Sequence, residues 1–216
     1  MRFWVLFLLF IGSSARAECD APVCLIDPDS LVLSRIITFD NAHAGYGPGQ
    51  PVRDLLVLDG ASFGERFAGQ TITADGNHDK VSGRPLPPLT LMPGVKGQNL
   101  SVVYFGGNNV LNGYGVAGFP RRHAQGEGAI AFAFENDQSA LAFHIRGGEA
   151  GTVQVMFLRR DASIIHQMIL PPAGEHAFGF VRQENIDDIA GVVITNVDPE
   201  GLAIDNLRFG RPPNLS

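Results

Sequence analysis

Between residues 128 and 158 the chain alternates apolar and small or polar residues with a period of two, three times in succession. Gly128-Ala-Ile-Ala-Phe-Ala-Phe134 puts Ile130, Phe132 and Phe134 on one face and alanines on the other. Ser139-Ala-Leu-Ala-Phe-His-Ile145 repeats the pattern with Leu141, Phe143 and Ile145, and the run 152–158 does so with Val153, Val155 and Phe157. A period of two is the signature of a pleated strand, because successive side chains leave a strand on opposite faces. A strand with one bulky apolar face needs a second layer to cover it, so the pattern demands at least two packed sheets.

The rest of the chain fits that demand. Runs at 35–39, 54–58, 71–74 and 100–105 read as earlier strands, and runs at 163–170, 176–182, 191–197 and 202–209 as later ones. About eleven strands at roughly ten-residue spacing predict an all-β, antiparallel two-sheet sandwich, with jelly-roll connectivity expected. The 26 glycines and 14 prolines supply the turns such a fold needs. Arg160-Asp-Ala-Ser163 reads as a tight hairpin turn, and 185–189 as at most one helical turn. The segments 77–97 and 106–128 are rich in glycine with proline or polar residues, and read as long surface excursions. With no repeat and no linker, the expected organisation is a segment 18–34, one sandwich domain over 35–210, and a polar tail over 211–216.

The N-terminus carries Arg2, an apolar run from Phe3 to Ile11, and Ala15-Arg16-Ala17. This is the pattern of a signal peptide over residues 1–17, with cleavage after Ala17 and a secreted or periplasmic product. The run is too short to span a bilayer, and Glu18 directly before Cys19 argues against lipidation. No second apolar segment follows, so no membrane span is expected. Cys19 and Cys24 predict a short disulfide loop in an oxidising compartment, and the lack of a nearby histidine argues against zinc there. Without Arg2 and Arg16 the 16 basic residues become 14 against 22 acidic ones, a net −8. With no basic stripe, nucleic acid is excluded as a partner.

Ile36-Ile-Thr-Phe-Asp40, Phe63-Gly-Glu-Arg-Phe67, Ala129-Ile-Ala-Phe-Ala-Phe134 and Ile204-Asp-Asn-Leu-Arg-Phe209 together resemble bacterial secreted jelly-roll domains that often carry a PEP-CTERM sorting signal. Those domains are similar to galactose-binding-like and carbohydrate-binding modules. The resemblance implies that the first and last strands of the domain lie side by side, with a structural calcium (Ca2+) near them held by Asp40 and Asp205. The residues add an argument of their own. Leu202 and Ile204 share one parity and Leu207 and Phe209 the other, so keeping all four in a core requires a bulge near Asp205-Asn206. A bulge frees carbonyl oxygens, which calcium accepts along with carboxylates.

For a ligand, the stretch from Tyr104 to His123 is the richest. Tyr104, Asn108, Asn109, Asn112, Tyr114 and Arg121 combine rings that stack on sugar faces with amides and a guanidinium that bond hydroxyls. The same residues also suit a glycine-rich loop packed on the core. Other constellations have plainer readings. Gly60-Ala-Ser-Phe-Gly64 matches a nucleophile elbow around Ser62, but no helix follows it, so a turn into a strand is expected. Asp75-Gly-Asn-His-Asp79 spaces oxygens as calcium loops do, yet lacks the glycine and acid that complete one, and reads as a solvated turn. His144, His166 and His176 fall on three strands and would form a zinc site only if they converged. Glu127, Glu135, Asp137, Glu149 and Asp161 offer carboxylates for glycoside hydrolysis without any sign of pairing. The sequence therefore predicts a non-catalytic secreted module that binds a saccharide or cell-surface polymer and carries calcium. A hydrolase with paired carboxylates, or a structural matrix protein, are the alternatives.

Overall fold

The alternating runs do form strands, and their apolar faces meet in the centre of the molecule. The computed structural model describes residues 19–211; the expected signal peptide over 1–17 and the tail beyond Arg211 lie outside the described residues. Among these residues, two antiparallel sheets pack face to face. The larger runs in the order Val23–Ile26, Ala177–Arg182, Ala140–Gly147, Leu202–Phe209, Asn108–Tyr114, Leu100–Phe105 and Gln50–Pro51. Arg35–Ile37 adds to Leu202–Phe209, and Gln125–Gly128 adds to Asn108–Tyr114. The smaller sheet runs Ile164–Ile169, Val153–Leu158, Ile189–Asn196, Ile130–Gln138, Ala61–Gly64 and Leu56–Leu58. No helix of the described residues is long and apolar enough to cross a membrane.

A chain of phenylalanine rings joins the sheets. Phe132 stands 6.4 Å from Phe143 across the interface, and Phe143 stacks on Phe180 at 5.1 Å. Phe39, Phe63, Phe134, Phe157 and Phe209 extend the set, all buried. Each such ring contributes about 1.5–3 kcal/mol by leaving water. The alanine face of Ile130–Gln138 is covered as well. Ala131 packs with Phe67, Leu91, Leu158 and Val193 in a second small core, so segment 65–92 forms a third layer over the smaller sheet. Small residues stand there because that layer lies close to the sheet.

Several elements differ from the sequence reading. The segment 106–128 is not a loop: Asn108–Tyr114 pairs with Leu100–Phe105 on one side and with Leu202–Phe209 on the other. Asparagine and glycine have poor strand propensity, but six cross-strand pairs and the turn Gly106-Gly107, both at positive φ, override it. Segment 77–97 contains the strands His78–Ser82 and Leu91–Met92, and Val23–Ile26 also escaped the reading. The Arg160–Ser163 turn is present, with Ala162 at positive φ and Asp161 accepting from the Ser163 amide at 2.9 Å. The single turn forms slightly early, at Gln183–Asn185. Cys19 and Cys24 are disulfide-bonded.

Phe132→Ala should lower unfolding free energy by about 3–5 kcal/mol in urea titration, because it empties the point where both sheets meet. Val57→Ala, at an exposed edge position, should change it by no more than about 0.5 kcal/mol.

Candidate functional site

The last strand keeps Leu202, Ile204, Leu207 and Phe209 in the core, and it does so by a bulge. Ala142 faces Arg208 and His144 faces Asp205, so Phe143 stands opposite the two residues Asn206 and Leu207. Asn206 takes a left-handed conformation, φ 50°, which asparagine tolerates better than most residues. Arg35–Ile37 pairs with this strand, Ile37 against Leu207, which carries Phe39 and Asp40 toward Asp205.

Asp205 ends up with 1% of its surface exposed. Its Oδ1 accepts the Asn206 amide at 2.7 Å, whereas Oδ2 is buried without a hydrogen-bond partner. Arg146 Nη2 is 3.6 Å from that oxygen and Nη1 is 3.5 Å from Glu175, so the guanidinium lies between two carboxylates beyond hydrogen-bond distance of either. Burial pushes the Asp205 carboxyl above the usual carboxylate range, and the charge of Asp40 pushes the same way. The Asn206 amide, Arg146 and His144 oppose them. Beside this pair, Phe39 at φ 60° turns the backbone so that the carbonyls of Phe39, Asp40 and Ala42 all lie 3.3–3.4 Å from Asn109 Nδ2. Asp40 Oδ1 accepts the Asn109 amide at 3.0 Å. Oxygen atoms therefore gather around one corner of the larger sheet. Among the described residues no three His, Cys, Asp or Glu side chains are placed to hold a metal together. A calcium here would use the two carboxylates and complete its shell with carbonyls and water.

The same corner carries an aromatic ledge. Tyr104 directly faces Asn109 across the hairpin, and its amide donates to the carbonyl of Gly45 at 2.9 Å, which sets Tyr46 beside it. The two rings meet edge to face at 5.1 Å, with Tyr46 80% and Tyr104 42% exposed. Phe105 is 57% exposed and is paired with the exposed Asn108. The other residues singled out in this stretch add no side chain to the exposed ring pair. Asn109 and Asn112 are buried, and Tyr114 is buried with its hydroxyl donating to the Pro48 carbonyl at 2.8 Å. Arg121 is exposed and bonds the Ala117 carbonyl. Tyr46, one of the three tyrosines left after the leader, lies outside the 104–123 stretch in a separate loop; the parallel bridge of Gly45 to Val103 brings it to Tyr104.

The remaining constellations resolve simply. Ser62 lies within strand Ala61–Gly64, entered from the tight turn Asp59-Gly60, not on an elbow. His144 and His166 belong to different sheets, so the three histidines do not converge. Asp75 and His78 pair directly across Gly76-Asn77, which makes that stretch a two-residue hairpin turn. Asp137 is held by Arg160, Asp161 by Ser163, and Glu127 is buried against His78. No protein-family model matches the chain, and a search of curated proteins finds no match either.

The raised Asp205 carboxyl has a measurable sign. Its share of stability is complete where both folded and unfolded forms are protonated, and shrinks as pH climbs through the raised pKa. In chelator, Asp205→Asn, which keeps an acceptor for the Asn206 amide, should lose less stability than the wild type between pH 4 and 8 in urea midpoints. Parallel profiles would refute the buried, unsatisfied carboxyl.

Proposed function

We propose that this protein is a non-catalytic, extracytoplasmic binding module for a saccharide or cell-surface polymer. The observation that carries the reading is the exposed edge-to-face pair Tyr46 and Tyr104, with Phe105 and Asn108 exposed on the opposite face of the same hairpin end. Exposed, mutually supported rings at a hairpin end suit the C–H-rich faces of a pyranose, and the tyrosine hydroxyls suit its hydroxyls. The turn glycines keep the hairpin end narrow, so a long chain can lie across it.

Calcium at Asp40 and Asp205 belongs to this reading. The support is chemical: a buried carboxylate oxygen without a partner, a second carboxylate next to it, and a backbone that turns several carbonyls toward one point. A cation there would neutralise Asp205 and tie the Phe39–Ala42 turn to the last strand. Because Asn109 bonds that turn and faces Tyr104, the ion would also stiffen the base of the ledge. The Cys19–Cys24 disulfide is compatible with the oxidising compartment that the N-terminal segment predicts.

Two measurements test these parts separately. Calcium at about a hundredfold over its dissociation constant should raise stability by about 2.7 kcal/mol against chelator, and Asp40→Ala or Asp205→Ala should remove the response. An unchanged melting temperature would overturn the ion. Tyr46→Ala with Tyr104→Ala should weaken binding to the polysaccharide that scores best in a glycan screen by about tenfold, or about 1.4 kcal/mol, without lowering the melting temperature. Retention of full affinity would remove the ledge from the ligand surface.

A further inference from the structure

The hairpin formed by Thr71–Asp75 and His78–Ser82 is joined by its backbone to no other strand among the described residues. Its inward anchors are few. Ile72 and Val81 are half-buried, most other side chains are exposed, and Asp79 alone is fully buried. Asp79 Oδ2 accepts the Ala129 amide at 3.0 Å, and His78 Nε2 bonds the Asp198 carbonyl at 2.8 Å while also facing the Glu127 carboxylate. The hairpin closes a cleft of about 230 Å³ against the outer side of the smaller sheet, where Thr152, Gln154, Thr195 and Asn196 line it.

Those anchors sit in an unusual charge environment. From the strand side Glu65 faces Asp79, with Arg66 bonded to Glu65 at 2.8 Å. From Gln125–Gly128 comes Glu127, and from the loop after Asn196 comes Asp198. The Asp198 carboxylate already accepts the amides of Ala150, Gly151 and Glu200. On the hairpin itself, Asp75 and Lys80 are exposed and His78 is half-buried. Asp79 Oδ1 and Glu127 Oε2 are buried without hydrogen-bond partners. Glu127 thus faces the His78 imidazole, and Glu65, bonded to Arg66, acts on Asp79, under a hairpin with few other anchors.

We propose that the 71–82 hairpin is a pH-operated clasp, shut on the sandwich in mild acid and released as the medium turns neutral to alkaline. When shut, burial and the charge of Asp79 push Glu65 up to about 7, and burial pushes Asp79 up to about 6. Burial, with the charge of Asp198, raises Glu127 as well, against the pull of His78. A lifted hairpin returns Asp79 to water and to an ordinary carboxylate value. The shut form therefore holds its protons more tightly, and rising pH favours the open one. Opening widens the cleft and frees Gln154 and Thr195 of the smaller sheet, half-buried beside the hairpin when it is shut, away from the aromatic ledge.

Hydrogen exchange of the purified protein, corrected for intrinsic rates, tests the clasp. Amides of 72–74 and 79–81 should lose protection by about tenfold or more between pH 5 and pH 8, relative to strand Ile189–Asn196 as internal reference. The variant carrying Asp79→Asn and Glu65→Gln should show a much smaller change. Equal relative protection at both pH values in the wild type overturns the proposal, whether or not the variant folds. So does a pH dependence that persists undiminished in a folded variant.

Discussion

The strand Leu202–Phe209 sets the condition that the rest of the larger sheet meets. It pairs with Ala140–Gly147, Asn108–Tyr114 and Arg35–Ile37, and four of its side chains must enter one core although they do not share a parity. A regular strand would send two of them to the outer face, at a cost of about 1.5–3 kcal/mol for each large side chain left in water. The bulge at Asn206 resolves the conflict, and it has a by-product. It leaves Asp205 buried with one oxygen unsatisfied, next to a strand that brings Asp40 alongside. The candidate ion site thus follows from core packing.

This part of the molecule was legible in the sequence because parity is a property of adjacent residues. The alternation of Phe132, Phe143 and Phe157 reports a two-layer core, and the mismatch between Ile204 and Leu207 reports the bulge without reference to other strands. What stayed hidden depends on distant partners. Asn108–Tyr114 reads as a loop by composition, yet its asparagines sit in the interior: Asn109 bonds three carbonyls from 39–42. Local propensity differences of about 1 kcal/mol cannot compete with pairing on both strand edges. The alanine face of Ile130–Gln138 carries no local sign of what covers it, and is a site of close approach by Phe67 and Leu91.

The aromatic ledge shows the same division. Tyr104 was identifiable as part of a ring- and amide-rich stretch, but a sequence cannot separate a ring that faces solvent from one that faces a core. Tyr114, ten residues on, has the same chemistry and the opposite role, with its hydroxyl fixed on Pro48. Tyr46 enters only because the loop at Gly45 runs beside Val103. Ligand surfaces assembled from separate loops are therefore the least legible features of a sandwich, even when its sheets are plain.

Buried carboxyls at two separate corners raise one physical question, which is what neutralises them. A carboxylate moved out of water without a partner is costly enough that the group either takes up a proton or attracts a cation. At Asp205 the surroundings supply a second carboxylate and several carbonyl oxygens, a set suited to a hard cation. At Asp79 they supply an imidazole, a guanidinium already engaged with Glu65, and a small apolar core beneath, which suits a proton. The difference lies in the backbone. The left-handed turn at Phe39 brings three carbonyls together beside Asp40, shared by the single amide of Asn109, whereas the hairpin contact offers the one carbonyl of Asp198, which His78 takes. Two similar carboxyls thus become candidates for two different controls, one by ion and one by pH.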